Sequence, residues 1–182
     1  MAMKDYLRWI DTDTTGNRND VTPLFAQPEA LNELVADLVA SIGDTPVDLV
    51  AGIDALGFIL GTAIALRLGV GLLAIRKGGK LPVETDRVEF RDYTGQDKQL
   101  EIRRDVLIPG MKVLIVDEWI ETGAQVLATI SLIEGQGAVV AGIATVNMDG
   151  NSQTRSMASK HKVWSVWQDS AEGENPSVSR MR

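Results

Sequence analysis

Residues 112–125 constrain this chain more than any other segment, because they join an apolar run, two acids and a turn. The run KVLIVDEWIETGAQ opens with consecutive Val, Leu and Ile residues. Such a run predicts a strand that is buried on both faces. Asp117 and Glu118 follow at its carboxyl end, where open α/β sheets bind ligands. The turn at 122–123 then offers free backbone N–H groups at a helix N-terminus, and these groups suit a phosphate.

Strands and helices alternate along the rest of the chain, which predicts an α/β domain with a mostly parallel central sheet flanked by helices. The predicted helices are Ala2–Ile10, Pro28–Ile42, Gly57–Leu68, Ala124–Gly135 and Asn151–Lys160. The predicted strands are Asp48–Ile53, Val70–Ile75, Lys112–Val116, Ala138–Met148 and Val163–Trp167. Two further arms, Val88–Tyr93 and Gln99–Ile102, enclose the polar tip 94–97 and predict an exposed, mobile hairpin.

Three loops, 54–57, 76–82 and 117–125, each follow a predicted strand, so we expect them to meet at one edge of the sheet. Asp117 and Glu118 can accept hydrogen bonds from vicinal hydroxyls or hold Mg²⁺ through its waters. The amides of 121–125 can hold one phosphate. The cations of the second loop can hold a more highly charged phosphate group. A sugar with a phosphate at one end and a diphosphate at the other fits this set.

Composition narrows the class of protein. The chain has 182 residues, a formal net charge of −7 and no cysteine. This length favours a single domain. The absence of cysteine fits a reducing compartment, and we expect a cytoplasmic location. The N-terminus lacks the apolar core of a signal peptide, and no stretch approaches the ~18 apolar residues of a membrane span. The acidic net charge argues against bulk nucleic-acid binding.

The stretch VLIVDEWIETGAQ resembles the phosphoribosyl diphosphate-binding motif of the type I phosphoribosyltransferases. The resemblance extends to further segments in the same order, and it is closest to the adenine phosphoribosyltransferases. These segments are DVTPLFAQPEALNELVADLV, VDLVAGIDALGFILGTAIALRLGV, LLAIRKGGKLP and LEIRRDVLIPGMKVLIVDE. The resemblance implies a type I phosphoribosyltransferase-like fold over residues 1–182. It also implies a hood and base pocket from 1–25 and a flexible hairpin lid at 86–102. The polar segment 171–182 is expected to be a loose tail.

In this family diphosphate leaves C1 of a ribose while a nucleobase nitrogen attacks, and the transition state resembles an oxocarbenium ion. The resemblance implies that Asp117 and Glu118 bind the ribose hydroxyls and favour the developing cation. The residues implied for the 5-phosphate are Glu121, Thr122, Gly123, Ala124 and Gln125. Those implied for the diphosphate, with Mg²⁺, are Asp54, Ala55, Leu56, Gly57, Arg76, Lys77 and Lys80. The lid would contribute Asp92 and Tyr93, and the base pocket Arg18, Asn19 and Asp20. The family is usually homodimeric.

The chain departs from the adenine enzymes at three positions of these loops. Leu56 replaces the arginine that grips diphosphate, and Gln125 replaces a Thr or Ser. Glu121 replaces an Ala, and it is either a base that accepts a purine proton or an exposed acid at the start of a helix. Two alternatives to an enzyme therefore stay open. One is a sensor that binds phosphoribosyl diphosphate or a nucleotide without turnover, and the other is a partner subunit. A Walker-type hydrolase is excluded, because no GxxxxGK[ST] motif occurs.

Overall fold

A computed structural model describes residues 4–15, 18–92 and 94–167 of the chain. The helices are a 3₁₀ helix at Asp5–Trp9, α1 at Thr22–Phe25, α2 at Pro28–Ile42, α3 at Leu56–Leu68, α4 at Ala124–Gly135 and α5 at Ser152–Ala158. The strands are β1 at Leu49–Ile53, β2 at Gly71–Lys77, β3 at Thr85–Arg91, β4 at Asp97–Arg103, β5 at Lys112–Val116, β6 at Trp119–Ile120, β7 at Val139–Thr145, β8 at Asn147–Met148 and β9 at Val163–Ser165.

Seven of these strands form one sheet in the order β3-β4-β2-β1-β5-β7-β9. The four neighbouring pairs β2–β1, β1–β5, β5–β7 and β7–β9 are parallel. Strand β4 pairs antiparallel with both β2 and β3. The predicted mostly parallel sheet is therefore confirmed. Because β2, β1 and β5 are neighbours with one direction, the loops that follow them open at the same edge.

Strand β5 is buried on both faces, as its apolar run predicts. Leu114 and Val116 pack into a core with α2, α3 and the N-terminal segment. Val113 and Ile115 point the other way, into a second core that includes α4 and residues of the β3–β4 hairpin. Helices thus cover both faces of the sheet, which is the arrangement that a fully apolar strand requires.

The N-terminal segment packs into the first core and the β3–β4 hairpin packs into the second, on the opposite face of the sheet. In the first, the Tyr6 hydroxyl donates a 2.8 Å hydrogen bond to Oδ2 of Asp37 on α2, and Leu24 is fully buried. In the second, β3 and β4 are in register from Thr85↔Arg103 to Arg91↔Asp97. Val88 and Phe90 pack against the core that contains α4. Both segments therefore approach the carboxyl edge of the sheet while remaining anchored to it.

Several predicted boundaries are wrong. The predicted strand Ala138–Met148 stops at Thr145, because the N–H of Val146 donates to the carbonyl of Glu118 and the chain then pairs with β6. Within the described residues, the predicted helix Ala2–Ile10 is a 3₁₀ helix at Asp5–Trp9. The hairpin arms are longer than predicted, with a tip at 92–96. Tyr93 and the tail 171–182 lie outside the described residues. In the described part of the chain, no helix combines the length and apolarity that crossing a membrane requires.

Candidate active site

The acid pair lies at the end of β5, where the strand leaves the sheet. Asp117 is buried, and its N–H donates to the carbonyl of Ala144 on β7. Its Oδ1 accepts a 3.1 Å hydrogen bond from the N–H of Glu118. Burial, followed by the neighbouring Glu118, raises the pKa of Asp117 well above its usual value. The pair is thus held rigidly, with Asp117 in an environment that disfavours its charge.

A close backbone approach brings the loop after β1 against these acids. A side chain at Gly57 would place its Cβ 2.7 Å from the carbonyl oxygen of Val116 and 3.4 Å from Oδ1 of Asp117. Only glycine fits that gap, and the loops after β1 and β5 are therefore in contact. The peptide bond between Asp54 and Ala55 is cis. Leu56 begins α3 and packs against the first core, so its side chain serves the fold at the position where the adenine enzymes carry arginine.

The end of β2 brings two cations to the loop after β1. Nε of Arg76 lies 3.2 Å from Oδ2 of Asp54, and Nζ of Lys77 lies 3.9 Å from Oδ1. Lys80 is exposed. One carboxylate thus orients two of the three cations predicted to bind diphosphate. The sequence pattern does not show this contact, because Asp54 follows β1 whereas Arg76 lies on β2.

Residues 121–125 form the turn into α4. Gly123 is the N-cap with φ +82°, a conformation that glycine adopts without strain. The side chain of Asn151 donates a 2.7 Å hydrogen bond to the carbonyl of Glu121, and the hydroxyl of Thr122 lies 3.3 Å from the N–H of Ala124. A cleft beside this turn is lined by Asp92, Asp117 and residues 119–126. Asp117, the turn and Asp92 of the hairpin therefore share one cleft.

Glu121 meets the N-terminal segment across this cleft. Its Oε1 lies 2.7 Å from Nε of Arg18. Burial is the main influence and raises the pKa of Glu121; Arg18 opposes the rise, while Asp149 and Glu118 add to it. Asp20, also predicted for the base pocket, accepts hydrogen bonds from the N–H and the hydroxyl of Thr22 at the start of α1. Asn19 lies between Arg18 and Asp20 in the chain.

Asp92, which the sequence predicts for a lid, organises the hairpin tip. Its Oδ1 accepts hydrogen bonds from the N–H and the hydroxyl of Thr94 and from the N–H of Gln96. These donors, led by the Thr94 hydroxyl, lower the pKa of Asp92. The structure thus gives the Asp92 carboxylate a role in shaping the tip that faces the cleft. Tyr93, the other lid residue predicted from the sequence, is not among the described residues.

The sequence did not predict a cluster of hydrogen-bonded side chains that lies next to the acid pair. Nε1 of Trp119 donates a 3.0 Å hydrogen bond to Oδ1 of Asp149, which also accepts from the side chain of Asn147. The rings of Trp119 and Trp167 meet edge to face, with centroids 5.9 Å apart. The mixed polar and apolar run after β7 carries no strong motif, so no sequence signal pointed to this cluster.

The chain matches a family model and several characterised relatives. The model of the phosphoribosyl transferase domain matches residues 20–174. An adenine phosphoribosyltransferase of Clostridium perfringens is 42% identical over 146 residues, which are 79% of this chain and 84% of the relative. That of Clostridium beijerinckii is 41% identical over 124 residues, 68% of this chain and 72% of the relative.

Solved structures of two further relatives share the fold. The crystal structure of adenine phosphoribosyltransferase from Thermoanaerobacter pseudethanolicus superposes with a TM-score of 0.83 at 29% identity, covering 91% of this chain and 98% of that one. The enzyme of Giardia lamblia, complexed with 9-deazaadenine, superposes with a TM-score of 0.81 at 30% identity, covering 91% and 97%.

Proposed function

The chain belongs to the phosphoribosyltransferase family, and we propose that it transfers the phosphoribosyl group of phosphoribosyl diphosphate to adenine or a closely related purine, as an enzyme of purine salvage. One observation carries the proposal: an acid pair with Asp117 buried, a helix-start turn and the cations at the end of β2 face one edge of the sheet. This is the set of groups that a ribose with a phosphate and a diphosphate needs. The relatives named as adenine phosphoribosyltransferases support the acceptor.

Asp117 and Glu118 are proposed to bind the ribose hydroxyls. Since Asp117 is fixed by the N–H of Glu118 and the carbonyl of Ala144, the pair can orient the sugar with little loss of freedom. As diphosphate leaves, positive charge develops near C1. The acid pair would stabilise it in a site largely screened from water.

The diphosphate is proposed to lie against the loops after β1 and β2, where Asp54 orients Arg76 and Lys77. Mg²⁺ is proposed to accompany it, because diphosphate, water and carboxylate oxygens are the ligands that this ion prefers. When bound, the ion would neutralise charge on the leaving group. Among the described residues, no cluster of three or more His, Cys, Asp or Glu side chains has the arrangement of a metal site. Substrate oxygens and waters would therefore supply most of the ligands.

The 5-phosphate is proposed to bind the turn 121–125, with Gln125 donating through its side-chain amide. Glu121 would serve as the base that accepts a purine proton, because burial raises its pKa toward the range of a general base. The hairpin with Asp92 at its tip would close over the bound substrates and exclude water, since hydrolysis is the competing reaction.

A homodimer is proposed from an apolar patch on α3 and β2. Ile59 and Leu66 lie on one side of α3 and are 47% and 77% exposed, and Leu72 on β2 is 38% exposed. Large apolar side chains in such a patch favour contact with a second copy of the chain. Light scattering would give the oligomeric state. The cytoplasmic location and the absence of nucleic-acid binding stay predictions.

The deciding experiment measures diphosphate release. The protein is incubated with phosphoribosyl diphosphate, Mg²⁺ and a panel of purines and other bases. We expect release with adenine that is abolished by Asp117→Asn combined with Glu118→Gln. Release that survives the double substitution would overturn the site assignment. Clear binding of phosphoribosyl diphosphate without release for any base would favour the sensor, which Leu56 and Gln125 motivate.

A further inference from the structure

A buried carboxylate on the hairpin holds the loop that carries Lys80. Glu101 lies on β4, and its side chain is fully buried. Its Oε1 accepts hydrogen bonds from two successive backbone N–H groups, those of Lys80 at 2.7 Å and Leu81 at 2.8 Å. An ionised group is rarely buried unless it is paired, so this one is committed to the loop after β2.

The other carboxylate oxygen faces the neighbouring hairpin strand. Oε2 of Glu101 lies 3.2 Å from Nε of Arg87, which is its register partner on β3. Burial acts to raise the pKa of Glu101, but the N–H groups of Leu81, Gly79 and Lys80, with Arg87, outweigh it and hold the pKa below its usual value. The carboxylate is therefore a charged link between β3, β4 and the loop.

The loop is shaped around this carboxylate. Gly79 has a positive φ of 78°, a side chain at Gly78 would collide with that of Gln99 on β4, and the N–H of Gly78 donates a 2.9 Å hydrogen bond to the carbonyl of Gln99. The backbone therefore lies close against the hairpin strand. Because the N–H groups of Lys80 and Leu81 point at Glu101, they are not available to an anion. The loop must hold a diphosphate mainly with its side chains, whose position depends on this backbone.

We propose that Glu101 is a positioning residue for the diphosphate half of the site, and that it couples the hairpin lid to the diphosphate loop. It does so without touching substrate: β4 belongs to the lid, and the carboxylate of Glu101 fixes the backbone from which Lys80 extends. This inference rests on the proposed function, in which the loop after β2 binds diphosphate.

The test compares the two halves of the site by isothermal titration calorimetry. Magnesium diphosphate and AMP are titrated separately into wild-type protein and into Glu101→Ala, Glu101→Gln and Glu89→Gln. Glu89 is an exposed acid on the same hairpin and serves as the matched control. We expect Glu101→Ala to weaken diphosphate binding by about tenfold or more, because two buried N–H groups lose their acceptor. AMP binding should change little.

Glu101→Gln keeps an acceptor oxygen but loses the charge, so it should recover part of the affinity, remaining roughly threefold weaker than wild type. In steady-state assays the two Glu101 variants, unlike Glu89→Gln, should raise KM for phosphoribosyl diphosphate more than KM for adenine. Equal losses of AMP and diphosphate affinity would indicate a general effect on the fold and overturn the proposal. If Glu101→Ala does not fold, unchanged diphosphate affinity in Glu101→Gln would overturn it. A wild-type protein that binds AMP but not magnesium diphosphate would overturn it too, yet leave the acceptor assignment standing.

Discussion

The ion pair between Arg18 and Glu121 gives the sharpest prediction about turnover. If Glu121 is the base that accepts a purine proton, it must be ionised before the reaction, so turnover rises as pH passes through its pKa. Arg18, 2.7 Å away, is the charged neighbour that lowers this pKa. The carboxylates that raise it are Asp149, Glu118 and Asp92. Replacing Arg18 by Gln should therefore raise the pKa of Glu121 and move the acidic limb of the kcat profile to higher pH.

The size of this pKa shift follows from how far the two side chains are exposed to solvent. The Arg18 side chain is 48% exposed and that of Glu121 is 18% exposed. For a pair with one well-solvated partner, we expect an interaction of about 1 kcal/mol. Since about 1.4 kcal/mol corresponds to one pH unit, the limb should move upward by roughly 0.7 pH unit. The measurement is kcat for adenine at saturating phosphoribosyl diphosphate, from about pH 5 to pH 9, the range over which a general base is tuned.

Two matched variants complete the experiment. Arg8→Gln removes a guanidinium from the same N-terminal segment, where its partner Asp5 is solvent-exposed, and it should leave the limb in place. Glu121→Gln removes the base and should lower kcat by about a hundredfold or more, with a smaller effect on affinity for phosphoribosyl diphosphate. Coincident limbs for wild type and Arg18→Gln, or a Glu121→Gln variant with unchanged kcat, would refute the role of Glu121 as a base.

Four further substitutions test other parts of the structure. Leu56→Arg should lower KM for phosphoribosyl diphosphate by roughly tenfold, because a charge-assisted hydrogen bond contributes about 1.5–3 kcal/mol; an unchanged KM would mean that the loop cannot direct the new side chain at diphosphate. Gly57→Ala should lower the free energy of unfolding by about 1–3 kcal/mol, since its Cβ would lie 2.7 Å from a carbonyl oxygen; denaturant titration showing no loss would contradict this close approach. Asp117→Asn should raise Tm at neutral pH by about 2–4 °C, which corresponds to ~1 kcal/mol at this size. Because the pKa of Asp117 is raised in the folded state, its carboxyl group destabilises the fold increasingly as pH rises toward that pKa. The Tm gain of Asp117→Asn should therefore persist above the folded-state pKa, and a gain that disappears there would contradict the assignment. Leu66→Glu should convert the dimer to monomer in light scattering, and an unaffected dimer would place the interface elsewhere.

Elements with strong local signals were predictable from the sequence. Helix α2 begins at Pro28 and ends before Gly43, and both residues mark helix ends by their own backbone preferences. Strand β5 and helix α4 were predicted with the observed bounds, because an apolar run and a glycine turn define them locally. The end of β7 was not predictable, since the backbone at Val146 turns toward the carbonyl of Glu118, a partner that only the tertiary structure supplies.

The site shows the same division between local and tertiary information. The acid pair and the turn 121–125 could be read from one segment, but their neighbours could not. Arg18 was expected in the base pocket and Glu121 was noted as a departure from the adenine enzymes, and nothing in the sequence indicated that they meet. Their pairing supplies a positive charge beside a carboxylate that would otherwise repel the 5-phosphate proposed to bind at the same turn. A change at one of these positions is therefore best tolerated with a change at the other. Arg18→Gln combined with Glu121→Ala should bind phosphoribosyl diphosphate more tightly than Arg18→Gln alone, and weaker binding would contradict this coupling.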